Sequence, residues 1–352
     1  EVKETASVPI GFGTWTETLT KARAATNDNT AFANNEAFDV YGFKTINGSN
    51  SVVFNGDAVT ATVSESSVTW DYTTHRFWDP AASSYTFFAV LPANSLAAED
   101  SSNPYATTGK FSSNDFTFDD PTAFSNDILV ASKKEESGAG TAGNFSYSST
   151  PVNIDFNHIA SCVDLYVKRD ATLQDAVVQI TSLSLENIKN NGKFSVTGYN
   201  ATTGTPTVTW NDPTATSTTL GTSGVYSVTG TYPVTVAGKT DYTTSPISTT
   251  GTAVNLFSGY VFMPQTLDGG QKIKLSYTIQ VGSETPNTYT DIEIDLAAFH
   301  QIDTNNNSGT AISSWDYGTK YIYTITIGAN AIQFTASVNE WTTNNGYRYL
   351  LN

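Results

Sequence analysis

The chain has 352 residues, of which 17 are Lys or Arg and 33 Asp or Glu, giving a net charge of −16. That balance argues against nucleic acid or an anionic membrane surface as a partner, and a single cysteine, Cys162, excludes an internal disulfide and a cysteine-rich zinc site. No apolar run approaches the about 20 residues of a membrane helix, whereas 6 Trp, 18 Tyr and 19 Phe supply a large core, and the length predicts two domains.

Thr, Ser, Asn and Gly fill most other positions, a bias that favours strands and turns and has an extracellular character. No basic start followed by an apolar core opens the chain at Glu1, so it reads as a mature or trimmed form. The first predicted strand runs from Val8 to Leu19, with Ile10, Phe12 and Thr14 on one side and Gly11, Gly13 and Trp15 on the other. A segment of small residues around Arg23 and a polar loop over 26–30 follow. Further along, Val152, Ile154 and Phe156 alternate with Asn153, Asp155 and Asn157, and Val163, Leu165 and Val167 continue the pattern. A short helical turn is predicted between Asp170 and Val178, and 202–252 is rich in Thr, Ser and Gly.

The clearest alternation lies at 272–281, where Ile273, Leu275, Tyr277, Ile279 and Val281 are apolar; 291–296 and 321–327 repeat it. Asn47-Gly48, Asn55-Gly56, Asn191-Gly192, Asp268-Gly269-Gly270 and Asn345-Gly346 are predicted turns, being residues that accept positive φ. Half-buried strands separated by such turns predict an all-β chain of two antiparallel β-sandwiches in series, with the seam near His158 to Cys162. The domains are accordingly set at 1–158 and 159–352.

Few residues carry chemistry. His75, His158 and His300 show no metal-binding spacing, and His158 faces inward as a hydrogen-bonded core or interdomain residue. Cys162 reads as a buried free thiol, although a base such as His158 near it in space would make it a candidate nucleophile. Asp115, Asp119 and Asp120 are a weak candidate for calcium, and Asp291, Glu293 and Asp295 form the wet face of a strand. Trp70, Trp78, Trp210 and Trp315 could stack on a sugar, although sandwich cores also use such residues. No phosphate loop, dinucleotide fingerprint, nucleophile elbow or zincin helix is present, and no cofactor is expected.

The two termini are more suggestive. Arg23 in a flexible segment of small residues suits a trypsin-like protease, and Tyr347-Arg348-Tyr349-Leu350-Leu351 is a short extended segment after Trp341. A removable strand at one end and a free one at the other are what strand exchange between subunits requires. The same residues also read simply as the first and last strands of two sandwiches.

Several ordered motifs point further: 38–43 (Phe-Asp-Val-Tyr-Gly-Phe), Trp70, Trp78-Asp79-Pro80, the run 85–92 ending in Pro92, 127–131 and 152–158 in the first half. In the second half come 259–265, Trp315-Asp316-Tyr317-Gly318, Tyr321-Ile322-Tyr323 and Val338-Asn339-Glu340-Trp341. Their order over 38–341 resembles the fimbrillin family, the donor-strand (type V) pilins and related surface lipoproteins of Bacteroidia.

The resemblance implies two transthyretin-like β-sandwiches, no enzyme activity, and export as an outer-membrane lipoprotein precursor whose lipid-bearing cysteine lies before Glu1. It implies that an arginine-specific protease cuts between Arg23 and Ala24 and releases the strand that carries Val8, Ile10, Phe12 and Leu19. The emptied groove would then take a terminal strand from another pilin subunit, here Tyr347, Tyr349, Leu350 and Leu351. The expected function is a structural or adhesive subunit of a cell-surface fimbria, with host glycans or proteins as candidate ligands. The competing readings are a surface lipoprotein that binds glycans through exposed aromatics, and a sandwich hydrolase with convergent carboxylates.

Overall fold

The computed structural model describes residues 8–13, 21–22, 29–30, 34–64, 68–94, 110–112, 116–118, 127–136, 151–170, 173, 176–189, 191–199, 206–211, 224–228, 253–301, 310–328 and 332–340. They are almost all strand, joined by turns and by short 3₁₀ turns such as Leu296–Ala298. Leu19, Arg23, Ala24, the Asp115/Asp119/Asp120 cluster and Tyr347 to Leu351 lie outside the described residues.

The first half is built on an antiparallel sheet in the order Asn157–His158, Leu129–Glu136, Ser84–Leu91, Ala37–Ile46, Ser49–Val63, Val68–Asp71. The strand Ser84–Leu91 has no wet face. Tyr85, Phe87, Ala89 and Leu91 enter one core, whereas Phe88 and Val90 enter another on the opposite side. A half-buried strand cannot have this pattern; a strand covered on both faces produces a continuous apolar run.

The first cover is the N-terminal segment with residues 72–78 and 151–156. The second is a hairpin from the other half of the sequence, Asn191–Tyr199 with Pro206–Asn211, whose Phe194, Val196 and Val208 pack on Phe43, Phe88, Val90, Ile128 and Val130. Lys110–Ser112 and Phe116–Thr117 also pair with Asn191–Tyr199, so strands from both sides of position 158 share a sheet. Trp210 closes the junction by donating its indole N–H to the Ile159 carbonyl at 2.5 Å.

The second half is a sandwich. One sheet runs Val254–Phe262, Ser161–Arg169, Thr319–Ile327, Ile332–Glu340, and the other runs Gly224–Val228, Ala176–Ile188, Lys272–Val281, Asn287–Asp295. Val163, Leu165, Val167, Tyr323 and Ile325 from one face meet Val178, Ile180, Leu185, Ile273 and Leu275 from the other. Lys272 and Lys274 line the solvent face with Glu293, Asp291 and Glu186, so the acidic residues read as wet are wet.

The sheets are not purely antiparallel, as the sequence reading had them. Ser161–Arg169 is parallel to Thr319–Ile327, and Phe12–Gly13 is parallel to Val152–Asn153. Parallel neighbours need a long connection, and here each connection contains most of a domain. The alternating run 152–158 is also not one strand. Val152, Ile154, Phe156 and His158 do all face inward, but Val152–Asn153 pairs with the first strand and Asn157–His158 with Leu129–Glu136. The chain thus changes sheets midway.

The predicted turn after Asp170 is present as one bond from the Leu173 N–H to the Asp170 carbonyl, and the chain is a strand again from Ala176. Asn47-Gly48, both at positive φ, makes the tight hairpin between Ala37–Ile46 and Ser49–Val63. Asn55-Gly56 does not turn the chain. It forms a bulge within Ser49–Val63, with Gly56 at φ 82° lying under the Tyr41 ring, where a Cβ would come within 3.2 Å of the hydroxyl.

Candidate functional site

The first segment, residues 8–13, is an inserted strand. On one side the Ile10 N–H donates to the Arg76 carbonyl (2.8 Å), and the Trp78 N–H donates to the Val8 carbonyl (3.1 Å). On the other, the Val152 N–H donates to Gly11 (2.7 Å) and the Ile154 N–H to Gly13 (2.8 Å). Both edges of the segment are therefore bonded, antiparallel to 76–78 and parallel to 151–154. The Tyr72 hydroxyl adds a further donor to the Ile10 carbonyl at 2.7 Å.

Period-2 geometry turns Val8, Ile10 and Phe12 to one side. Ile10 is 1% exposed and Phe12 3%, while Val8 is half-buried against the same core. Full burial of two such side chains contributes about 1.5–3 kcal/mol each. The Phe12 ring has centroids of Phe54 at 5.3 Å, Phe87 at 5.5 Å, Tyr72 at 5.9 Å and Phe38 at 6.3 Å, mostly edge to face. The first strand thus supplies the inner side chains of a core that the rest of the half leaves open.

Residues 71–78 clasp it. Arg76 donates from Nε to the Val53 carbonyl (3.0 Å) and lies 3.5 Å from Asp57, which ties the clasp to the strand beneath. His75 contacts Asp71 at 2.8 Å and lies edge-on to Tyr72, and this contact holds the Asp71 carboxyl below its ordinary range. Asp79 pairs with Lys44 at 2.5 Å and takes the Ala81 N–H, which depresses its carboxyl too, while its own N–H donates to the Tyr85 hydroxyl.

Asp39 has the opposite sign. Burial raises its carboxyl above the ordinary range, against a lowering by the Asn94 N–H at 2.7 Å. A raised folded pKa means stability present below the unfolded pKa and lost as pH rises through the folded one. Asp39→Asn, which keeps the acceptor without the charge, is therefore expected to gain on the parent between pH 4 and 7 (roughly the window above an ordinary carboxyl pKa). Chemical denaturation across that range checks it: a constant gap would assign the effect to something other than ionisation.

Other candidates resolve simply. His158 is fully buried and bonds through Nδ1 to buried Asp127 at 2.6 Å, a core histidine at the junction. Cys162 is packed with Phe118, Ala160, Val261 and Met263, and burial pushes its thiol up, away from nucleophile chemistry. The tryptophan platform is overturned. Trp78 and Trp315 are 5% and 1% exposed in different cores, Trp70 leans on Phe38, and Trp210 is spent on the junction. Among the described residues no cluster of His, Cys, Asp or Glu could hold a metal ion, and no helix is long and apolar enough to cross a membrane.

Ile10 and Phe12, set on one side of a strand in the sequence reading, enter one core with Val8 at its margin, but nothing in that reading indicates what holds them. Tyr72 and Arg76 gave no signal beyond their closeness to Trp78-Asp79-Pro80, and Pro151 to Ile154 read as a strand without a partner.

The profile of the fimbrillin-like family matches residues 20–341. The chain belongs to the fimbrillin-like family. No functionally curated protein matches it. A fimbrial protein from Bacteroides vulgatus ATCC 8482 shares the fold at a TM-score of 0.59 and 19% identity, over 95% of this chain and 99% of that one. The tip fimbrial protein Mfa3 from Porphyromonas gingivalis, with a C-terminal truncation, is more distant (TM-score 0.39, 10% identity, 92% and 98% covered). Membership gives this chain a structural or adhesive role at the cell surface, in the company of other fimbrial subunits, and not an enzymatic one.

Proposed function

We propose that this fimbrillin-like chain is a pilus subunit that assembles by exchanging strands. An arginine-specific protease cuts between Arg23 and Ala24, the segment with Val8, Ile10, Phe12 and Leu19 leaves, and the groove takes Tyr347, Tyr349, Leu350 and Leu351 from the next subunit. We place the domain division at 158/159, and the precursor at the outer membrane as a lipoprotein.

One observation carries this reading: residues 8–13 bond to the body along both edges and fill its core with alternate side chains, as a replaceable strand must. Loss of such a strand uncovers unpaired main-chain groups and an apolar groove, which a strand of another copy can satisfy. The contact is head-to-tail and builds an open filament.

Of the four arginines, Arg169 is buried and Arg76 is bonded to the Val53 carbonyl of the strand beneath it, which leaves Arg23 and Arg348 as candidates for cleavage. Digestion with an arginine-specific protease, read by intact mass and size-exclusion chromatography, is expected to cut after Arg23 and yield a ladder of oligomers. Arg23→Ala should stay monomeric, and removal of 347–352 should give a cut monomer that does not polymerise. A ladder that forms equally from the Arg23→Ala protein would refute the scheme.

A further inference from the structure

The three inward positions of the first strand are unequal. Val8 sits at the margin of the core, half-buried. Ile10 is fixed as much by its main chain as by its side chain: its N–H goes to Arg76 and its carbonyl takes the Tyr72 hydroxyl, groups that any residue offers. Phe12 alone sits in a cage, with the rings of Phe38, Phe54, Tyr72 and Phe87 all within 6.3 Å of its centroid. The outward positions discriminate little. A Cβ on Gly11 would meet Pro151 at 3.8 Å and one on Gly13 at 3.4 Å, both ordinary contacts.

We propose that the ring cage around Phe12 is the selectivity pocket of the groove, so that the strand which replaces the first one must place an aromatic side chain there. This rests on the strand-exchange reading and specifies the chemistry of its ligand. The cage is made by four rigid rings from four separate segments of the first half, so it cannot shrink around a small side chain. An aliphatic residue leaves ring faces and edges without partners, whereas an aromatic one restores the edge-to-face contacts. The Tyr72 hydroxyl serves as a positioning group. It holds the carbonyl two residues before the ring and so fixes the register in which the ring meets the cage.

The test uses the full chain cut after Arg23, with the released piece exchanged against excess synthetic peptide of sequence 6–15 and its Phe12→Leu, Phe12→Ala and Ile10→Ala forms. Affinity is read by fluorescence polarisation of a labelled peptide. The parent peptide should bind, Phe12→Leu about 10-fold more weakly, and Phe12→Ala about 100-fold or more weakly, since a buried Phe-to-Ala change costs enough for at least that factor. Ile10→Ala should lose less than Phe12→Ala. In a body carrying Tyr72→Phe the cage is kept and only the hydroxyl is lost; the parent peptide should weaken while the ratio between Phe and Ala peptides stays large. If the Phe12→Ala peptide binds within about 3-fold of the parent, the pocket does not select and the proposal is wrong, although the groove stands. If no peptide is captured because the cut protein retains its own strand, the exchange reading fails and the pocket falls with it.

Discussion

Replacing Phe12 by alanine is expected to lower the unfolding free energy of the intact chain by about 3–5 kcal/mol, the range for buried Phe-to-Ala changes. The ring is 3% exposed, and its neighbours come from strands Ala37–Ile46, Ser49–Val63 and Ser84–Leu91 as well as from Tyr72. Those strands are hydrogen-bonded to one another and cannot close over the space, so the cavity term adds to the transfer term. Val8→Ala, at a half-buried site, should cost roughly 1 kcal/mol, because fewer buried methyl groups are removed there. Denaturant titration at constant m-value measures both. A Phe12→Ala loss below about 1 kcal/mol would mean that the cage collapses, contrary to the packing described.

The second large effect is at the junction. His158 and Asp127 are both fully buried and bonded at 2.6 Å between Asn157–His158 and the residues that lead into Leu129–Glu136. Removing one member of a buried pair leaves the other in low dielectric and costs about 3–5 kcal/mol. His158→Leu and Asp127→Val should therefore each destabilise by that amount. The double apolar variant, Asp127→Val with His158→Leu, should recover a good part, giving a coupling energy of opposite sign to the single losses. Strict additivity of the two single effects would show that the residues act independently.

Much of this was legible beforehand where one strand decides its own fate. Alternation at 272–281 placed Ile273, Leu275, Tyr277 and Ile279 inside, and the inward turn of Val8, Ile10 and Phe12 follows from the same period. His158 was readable as core because an inward-facing polar residue must find a partner, and Cys162 because a free thiol packs as a small apolar side chain. What was not legible depends on the partner. The period of 2 is the same for parallel and antiparallel neighbours, so the pairing of Ser161–Arg169 with Thr319–Ile327 leaves no mark. Asn55-Gly56 has the composition of a turn, and only Tyr41 above it makes it a bulge. The hairpin Asn191–Tyr199/Pro206–Asn211 alternates like any surface strand pair, and nothing in it says that its apolar face belongs against the other half. For the groove, Tyr72 and Arg76 lie in a short irregular segment where side-chain roles have no period to follow.

The two parallel pairings set a timetable for a chain that emerges from its N-terminus. Residues 8–13 can bond to 76–78 along one edge early, but their second edge waits until Val152 has appeared, and Ser161 waits for Thr319 on its parallel side. Contacts so distant in sequence are slow to form, because the loop between them must be closed before any contact rewards it. The first core therefore passes through a stage in which its filler is held along one edge alone. In that state the strand keeps only the main-chain bonds to 76–78 and lacks those from Val152 and Ile154. The covalent linkage of residues 8–13 to their own body answers this: a tethered strand stays at high local concentration beside its groove while the second edge forms.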